Sequence, residues 1–339
     1  DLVKTRSLPV AVLTRRCLLN VMSQPVSTIQ TEAVMPRRGS LRALVVSMRP
    51  HQWTKNLFVM APLLFGQRLG DANSVGLALL AFAAFCLIAS ALYIVNDIAD
   101  AEADRAHPEK RFRPIASGEL SAPLAIMASM VLLLTAFGIA AAIGWQFLAL
   151  AFGYAVLTLG YSLAVKHVVI LDCMTIATGF VLRVVGGAAA IKVTPTHWLI
   201  VCAFLLALYL AFAKRRQELM MLSDGAREHR QVLSQYSVAY LEQVNNILVG
   251  ATIVCYTLYT VAPETVARFG TDKLIYGTVF VVYGMLRYMV LTHKSENGGN
   301  PSRVLISDKP LMLAILGWGI FNGMVIYRGV LAALWERLQ

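Results

Sequence analysis

The chain has 339 residues, of which 58% are hydrophobic and 14% charged. A soluble domain carries roughly 25% charged residues, so this composition, with a mean hydropathy of +0.64, excludes an ordinary soluble protein and points to a polytopic membrane one. The formal net charge of +11 reads in that setting as cytoplasmic loops rather than nucleic-acid binding.

Asp1 to Ser40 stands apart. It holds Lys4, Arg6, Arg15, Arg16, Arg37 and Arg38 with no long apolar run. Val10 to Leu13 is too short for a signal-peptide core, and its arginine pair follows it instead of preceding it. A basic, disordered arm is expected over residues 1–40, with Met22 or Met35 as the natural start, and residues 41–339 form one polytopic domain.

A helix crossing the bilayer needs about 20 apolar residues, and nine segments come near that. They are Ala43–Gly66, Ser74–Val95, Ala122–Ile143, Phe147–Val165, Val169–Ile191, Pro195–Ala213, Val244–Ala262, Leu274–Leu291 and Pro310–Leu331. The expected fold is therefore an all-α integral membrane bundle of about nine transmembrane helices. The first segment is the weakest, because Arg49, His51 and Lys55 interrupt it. Gly186-Gly187 allows close helix approach in the fifth. Asp308-Lys309-Pro310 reads as the start of the last helix, with proline near its first position. Trp145, Trp198, Trp318 and Trp335 suit interfacial positions.

The second segment runs directly into Asn96-Asp97-Ile98-Ala99-Asp100-Ala101-Glu102-Ala103-Asp104. Asn96, Asp100 and Asp104 recur every four residues with Asp97 one position off, so all four can share a helical face. Unpaired carboxylates at that spacing repel, and they suit Mg²⁺, which takes one or two carboxylates plus substrate phosphates. The alternative is a solvated helix terminus. Lys110, Arg111 and Arg113 follow within ten residues, which outlines a diphosphate site. Of the five cysteines, four lie in apolar runs and read as small buried hydrophobes, and the six histidines show no paired ligand spacing.

Loop charges orient the bundle. With the amino end inside, the cytoplasmic loops carry Arg105, Lys110, Arg111, Arg113, Lys166, Lys214, Arg215, Arg216, Arg227, Arg230, Lys294, Arg303 and Lys309. The opposite loops carry only Arg68, Lys192, Arg268 and Lys273. This bias predicts a multi-pass inner-membrane protein with its N-terminus and acidic cluster on the cytoplasmic side. It also gathers Lys55, the Tyr161–Lys166 turn and the Lys214-Arg215-Arg216-Gln217-Glu218 run near that cluster.

The Asn96-Asp97-x-x-Asp100-x-x-x-Asp104 pattern, with Arg113-Pro114-Ile115-Ala116-Ser117-Gly118 downstream, resembles the first aspartate-rich motif of the UbiA superfamily of intramembrane prenyltransferases. Several shorter segments resemble its decaprenyl-phosphate phosphoribosyltransferase branch. They are Arg49-Pro50-His51-Gln52-Trp53-Thr54-Lys55-Asn56, Asp104-Arg105 through Pro114, the stretch from Tyr161 to Lys192, and Lys214-Arg215-Arg216-x-Glu218-Leu219. Quinone-type members carry a second aspartate-rich motif after the sixth span. Here that loop is basic, with Glu218 and Asp224 as its acids, a charge suited to binding phosphate directly. The resemblance thus implies Mg²⁺-dependent transfer of 5-phosphoribose from 5-phosphoribosyl diphosphate to a polyprenyl phosphate.

That reaction assigns expected roles. Asp97, Asp100 and Asp104 are the metal ligands, directly or through water, with Asn96 as a neutral oxygen ligand or a donor. Lys110, Arg111 and Arg113 neutralise diphosphate oxygens. Lys214, Arg215 and Arg216 are candidates for the 5-phosphate, with Glu218 beside them, and Lys55 and Lys166 for the acceptor phosphate or the diphosphate. Arg183, well inside the fifth span, orients a phosphate or pairs with Asp172 or Glu218. Tyr161 contacts substrate or anchors the interface. The competing readings are an aromatic prenyltransferase, which calls for a second acidic motif near Leu219–Arg230, and a cation-coupled transporter, which calls for midplane charges and internal repeats.

Overall fold

A computed structural model of the chain describes residues 39–221, 231–294, 307–330 and 336. The expected arm falls outside these except for Gly39 and Ser40, as do Asp224, Arg227, Arg230, Arg303 and Trp335. Among the described residues every regular element is helical.

The first segment is broken into α1 (Ser40–Met48), a 3₁₀ helix (Pro50–Met60) and α2 (Ala61–Phe65). The break has a local cause. Arg49 adopts a left-handed conformation (φ 53°, ψ 59°), uncommon for a non-glycine residue, and Pro50 has no N–H to continue the α-helical ladder. An 11-residue 3₁₀ run is long for a geometry that rarely persists beyond a few residues.

Among the described residues, eight helices are long and apolar enough to cross a membrane. α3 (Ala72–Ala99) leads through a kink into the short α4 (Ala101–Ala106). α5 (Ala122–Ile143), α6 (Trp145–Leu163), α7 (Leu171–Ala190) and α8 (His197–Met221) follow. Then come α9 (Val238–Val261), the short α10 (Pro263–Phe269), α11 (Thr278–Lys294) and α12 (Lys309–Ile326). Of the nine expected spans, the first is the most broken; the last is helical only to Ile326 before a turn at Tyr327, the eighth begins as a 3₁₀ helix (Lys273–Gly277), and α8 runs two turns past the expected Ala213.

Contacts between distant segments sort the helix ends into two faces. At one, Arg49 meets Asp97, Lys166 meets Asp100, and Arg216 donates to the Thr292 carbonyl. At the other, Gln67 donates to the Ile326 carbonyl and the Leu69 N–H to the Tyr327 hydroxyl. The broken first segment runs from the first face to the second.

The two largest of five apolar clusters among the described residues hold the middle of the bundle. Val59, Phe85, Phe147 and Tyr154 join the first segment to α3, α6 and their neighbours. Tyr209, Phe212, Leu241, Leu248 and Tyr288 join α8, α9 and α11. Between α7 and the 3₁₀ helix the backbones almost touch: a Cβ on Gly187 would lie 2.0 Å from the Val59 carbonyl oxygen. Gly187→Ala is therefore expected to cost about 1–3 kcal/mol through overpacking. A lowered Tm in detergent would show it, and an unchanged Tm would contradict the close approach.

Polar groups fix the helix starts. Asp71 caps α3 by accepting from the Asn73 N–H and the Ser74 hydroxyl, and that hydroxyl holds its carboxyl below the usual range. Asp308 caps α12 at the Leu311 N–H and takes two bonds from Arg287 on α11, as the Asp-Lys-Pro signal suggested. Trp318 departs from the expected belt: its indole packs inward and donates to the Tyr256 hydroxyl at 2.9 Å, a partner that a buried N–H requires.

Candidate active site

The charged face carries two clusters. The first grows from the end of α3. Asp97 faces inward and is buried, with 3% of its side chain exposed, and it accepts from Arg49 Nη2 at 2.5 Å and Arg113 Nη1 at 3.1 Å. The same Arg113 nitrogen reaches Asp104 at 2.6 Å. Asp104 lies on α4, beyond a helix kink at Asp100 (φ −90°, ψ 2°), the sparsely populated region where many active-site residues sit. Asp97 and Asp104 are thereby held together by one guanidinium nitrogen. Asp100 turns elsewhere, accepting from Asn96 Nδ2 at 2.8 Å and lying 3.9 Å from Lys166 Nζ.

Three carboxylates are thus matched by three cations, which removes the repulsion their spacing implied. Among the described residues no three His, Cys, Asp or Glu side chains gather as a metal cage. Mg²⁺ does not need one, since it keeps waters and takes phosphate oxygens beside one or two carboxylates. Half-exposed Asp100 with Asn96 meets that requirement at the wall of a cavity of about 220 Å³ between α3 and α6. Of the basic residues downstream, only Arg113 touches the carboxylates. Lys110 and Arg111 are exposed on a 3₁₀ turn (Lys110–Phe112), with the Arg111 guanidinium over the Phe112 ring.

The second cluster lies where α7, α8 and the Gln231–Gln235 turn meet. Arg215 is 1% exposed. It donates to Asp172 at 2.6 Å, to Glu218 at 2.7 Å and to the Tyr161 hydroxyl at 3.2 Å. Asp172 also accepts from the Tyr236 hydroxyl, whose ionisation burial pushes well up, so it stays a donor. Arg216 is tied to Glu242 and the Thr292 carbonyl, and Lys214 lies 3.6 Å from Glu218. The arginines of the basic run therefore face carboxylates of this chain.

Between the clusters lies a set of cations. Lys55, on the 3₁₀ helix, is within electrostatic reach of Lys214, Arg183 and Arg49. Arg183 is 6% exposed and bonds neither Asp172 nor Glu218. It donates to Asn56 Oδ1 at 2.7 Å, to the Tyr154 hydroxyl at 2.7 Å and to the Gly179 carbonyl at 2.9 Å. All three partners are neutral, and the guanidinium also lies over the Tyr154 and Phe180 rings, 4.5 and 5.1 Å from their centroids.

The model of the UbiA prenyltransferase family matches residues 57–332. The chain belongs to that family. A decaprenyl-phosphate phosphoribosyltransferase of Corynebacterium glutamicum is 31% identical over 86% of this chain and 89% of its own length. One from Mycolicibacterium smegmatis is 30% identical over 86% and 95%. A UbiA homologue from Archaeoglobus fulgidus, solved with GPP and Mg²⁺, superposes with a TM-score of 0.65 at 18% identity, covering 84% of this chain and 99% of that one. This UbiA-family chain is a multi-pass membrane transferase similar to the decaprenyl-phosphate phosphoribosyltransferases.

The candidate site includes residues that the sequence reading gave no place of their own, Asp172 having been named there only as a possible partner of Arg183. Arg49, Asn56, Tyr154, Asp172, Tyr236 and Glu242 all hold named site residues in place. Asp172 carried a signal, a carboxylate in the first turn of an apolar span that needs a buried partner. Tyr154, inside an apolar run, carried none.

Proposed function

We propose that this enzyme transfers 5-phosphoribose from 5-phosphoribosyl diphosphate to a polyprenyl phosphate, at the cytoplasmic face and with Mg²⁺. The observation that carries this reading is the pairing of one acidic, metal-compatible wall with a set of cations at Lys55, Arg183, Arg49 and Lys214. A donor with a diphosphate at one end and a phosphate at the other suits such a site. The named relatives support the substrate class, and the bias of basic residues toward the charged face supports the orientation.

In this reading a phosphate oxygen of the acceptor attacks C1 of the ribose as the C1–O bond to diphosphate breaks. The acceptor is already anionic, so no strong general base is needed. Asn96 and Asp100 would hold Mg²⁺ directly and Asp97 and Asp104 through water; when bound, the ion supplies Lewis-acid charge to the leaving diphosphate. Arg49 and Arg113 hold the buried carboxylates and lie beside the leaving group, where donors to developing charge count most. Lys110 and Arg111 attract the anionic donor from the surface. Lys55 and Lys214 meet the donor phosphates, Arg183 sets the potential between them, and Lys166 meets the acceptor. Arg215 and Glu218, with Tyr161, keep the end of α8 in register.

Lys55→Gln is expected to raise KM for 5-phosphoribosyl diphosphate about 10–100-fold, the scale of one or two charge-assisted contacts. Chelation tests the metal directly. Diphosphate release from the donor plus polyprenyl phosphate should stop with EDTA and return with added Mg²⁺. Release that persists in EDTA contradicts the metal assignment.

A further inference from the structure

The connection from α6 to α7 carries a strained residue that its own packing does not enforce. Ile170, just before α7, has φ 68° and ψ −48°. The Leu171 N–H donates across it to the Val169 carbonyl at 2.8 Å. These are the marks of the rarer, strained form of γ-turn, and positive φ in a β-branched residue is a genuine outlier. Such a conformation persists only where its surroundings over-determine it. Ile170 is 41% exposed, so side-chain packing is not what holds it.

Tyr236 supplies the hold. It lies between the Gln231–Gln235 turn and α9, and it is buried, its ring edge-on to Phe212 of α8 and stacked on Tyr240 of α9. Its hydroxyl accepts from the Ile170 N–H at 2.6 Å and donates to Asp172 Oδ1 at 2.9 Å. A tyrosine hydroxyl both donates and accepts, so the two bonds form together and grip the turn on either side of Leu171. Lys166 stands four residues before Ile170, on a 3₁₀ turn (Val165–His167) that packs against Gln231–Gln235. The backbone between them is tied locally, the Val168 N–H to the Val165 carbonyl and the Asp172 N–H to the Val168 carbonyl. A change at Ile170 therefore moves Lys166 as well.

We infer that Tyr236 is a positioning residue for Lys166: its hydroxyl holds the γ-turn at Ile170 and so fixes where the Lys166 ammonium stands on the charged face. The inference rests on the reading above, in which Lys166 meets the acceptor phosphate, and adds what sets its place. Without the hydroxyl, Ile170 relaxes toward negative φ and the connection shifts with it.

Variants of the full-length enzyme test this. Tyr236→Phe keeps the ring and its stacking and removes the hydroxyl. It should lower kcat/KM for polyprenyl phosphate about 10–100-fold, up to the scale of a 1 Å misplacement, and leave KM for 5-phosphoribosyl diphosphate unchanged. In a Lys166→Gln background the same change should do little more, because residues that act through one another are not additive. Full additivity there overturns the inference, as does a loss confined to Tm. Glycine takes positive φ without steric cost, so adding Ile170→Gly to Tyr236→Phe should recover most of the activity. Tyr236→Phe also takes a donor from Asp172, a loss that Ile170→Gly cannot restore, so recovery isolates the turn and its absence overturns the inference. Hydrogen exchange over residues 164–172 needs no substrate. Tyr236→Phe should speed it by up to about tenfold, the net worth of one hydrogen bond. Wild-type phosphoribosyl transfer with exchange unchanged in the variant sinks only the inference. Faster exchange in an enzyme that does not transfer phosphoribose sinks only the donor assignment and upholds the hold on the connection.

Discussion

Arg113→Ala is expected to lower turnover by about 10²–10³, the scale seen when one donor to developing negative charge is removed. One guanidinium nitrogen joins Asp97 to Asp104, at 3.1 and 2.6 Å. Without it, two carboxylates that are 3% and 4% exposed face each other with Arg49 alone on Asp97. Breaking a fully buried pair costs about 3–5 kcal/mol. Arg113 is 27% exposed, so water screens part of that loss and about 1–3 kcal/mol is expected. Arg113→Lys separates the two effects. An ammonium can neutralise the carboxylates but cannot reproduce the planar fork, so stability should recover in part and activity little. Turnover at saturating substrates and Tm in detergent read the two quantities. Full activity in Arg113→Ala would remove this residue from the leaving-group site.

Asp172→Ala is expected to be the most destabilising single change among the charged residues, by about 3–5 kcal/mol. Its side chain is 0% exposed and the side chain of its partner Arg215 2% exposed, so removing it strands a guanidinium with Glu218 and Tyr161, and leaves the Tyr236 hydroxyl without this acceptor. The same cost should appear in Arg215→Ala. The double change Asp172→Leu with Arg215→Met should be milder than either, because well-packed apolar residues can replace a buried pair. Thermal unfolding of the three variants in one detergent decides this. Additive losses in the double variant would show that the two residues do not act as a pair.

These two sites show where sequence reading reaches and where it stops. Ala122–Ile143 was legible to the residue, because a charge-free apolar run bounded by Ser121 and Gly144 leaves little choice. So was the start of α12 at Asp308-Lys309-Pro310. The neighbourhood of Asp97, Asp104 and Arg113 could be anticipated, since all lie within one turn-rich stretch of the chain. The Arg49–Asp97 pair could not, because 48 residues separate its members and only helix packing joins them. Nor could the Arg183–Asn56 bond, which spans 127 residues, with both candidate carboxylates nearer in sequence. The kink at Asp100 was hidden for another reason. The four-residue spacing fits a straight helix as well as a broken one, and tertiary pairing of Asp104 with Arg113 decides between them.

The most direct test of the account compares two substrate pairs on purified enzyme in detergent with Mg²⁺. One is radiolabelled 5-phosphoribosyl diphosphate with polyprenyl phosphate, and the other is polyprenyl diphosphate with 4-hydroxybenzoate. The account predicts a lipid-soluble labelled product from the first pair only, lost in Asp97→Ala and on chelation. Product from the second pair alone would make the enzyme an aromatic prenyltransferase and contradict the phosphate-binding role given to the cations around Lys55.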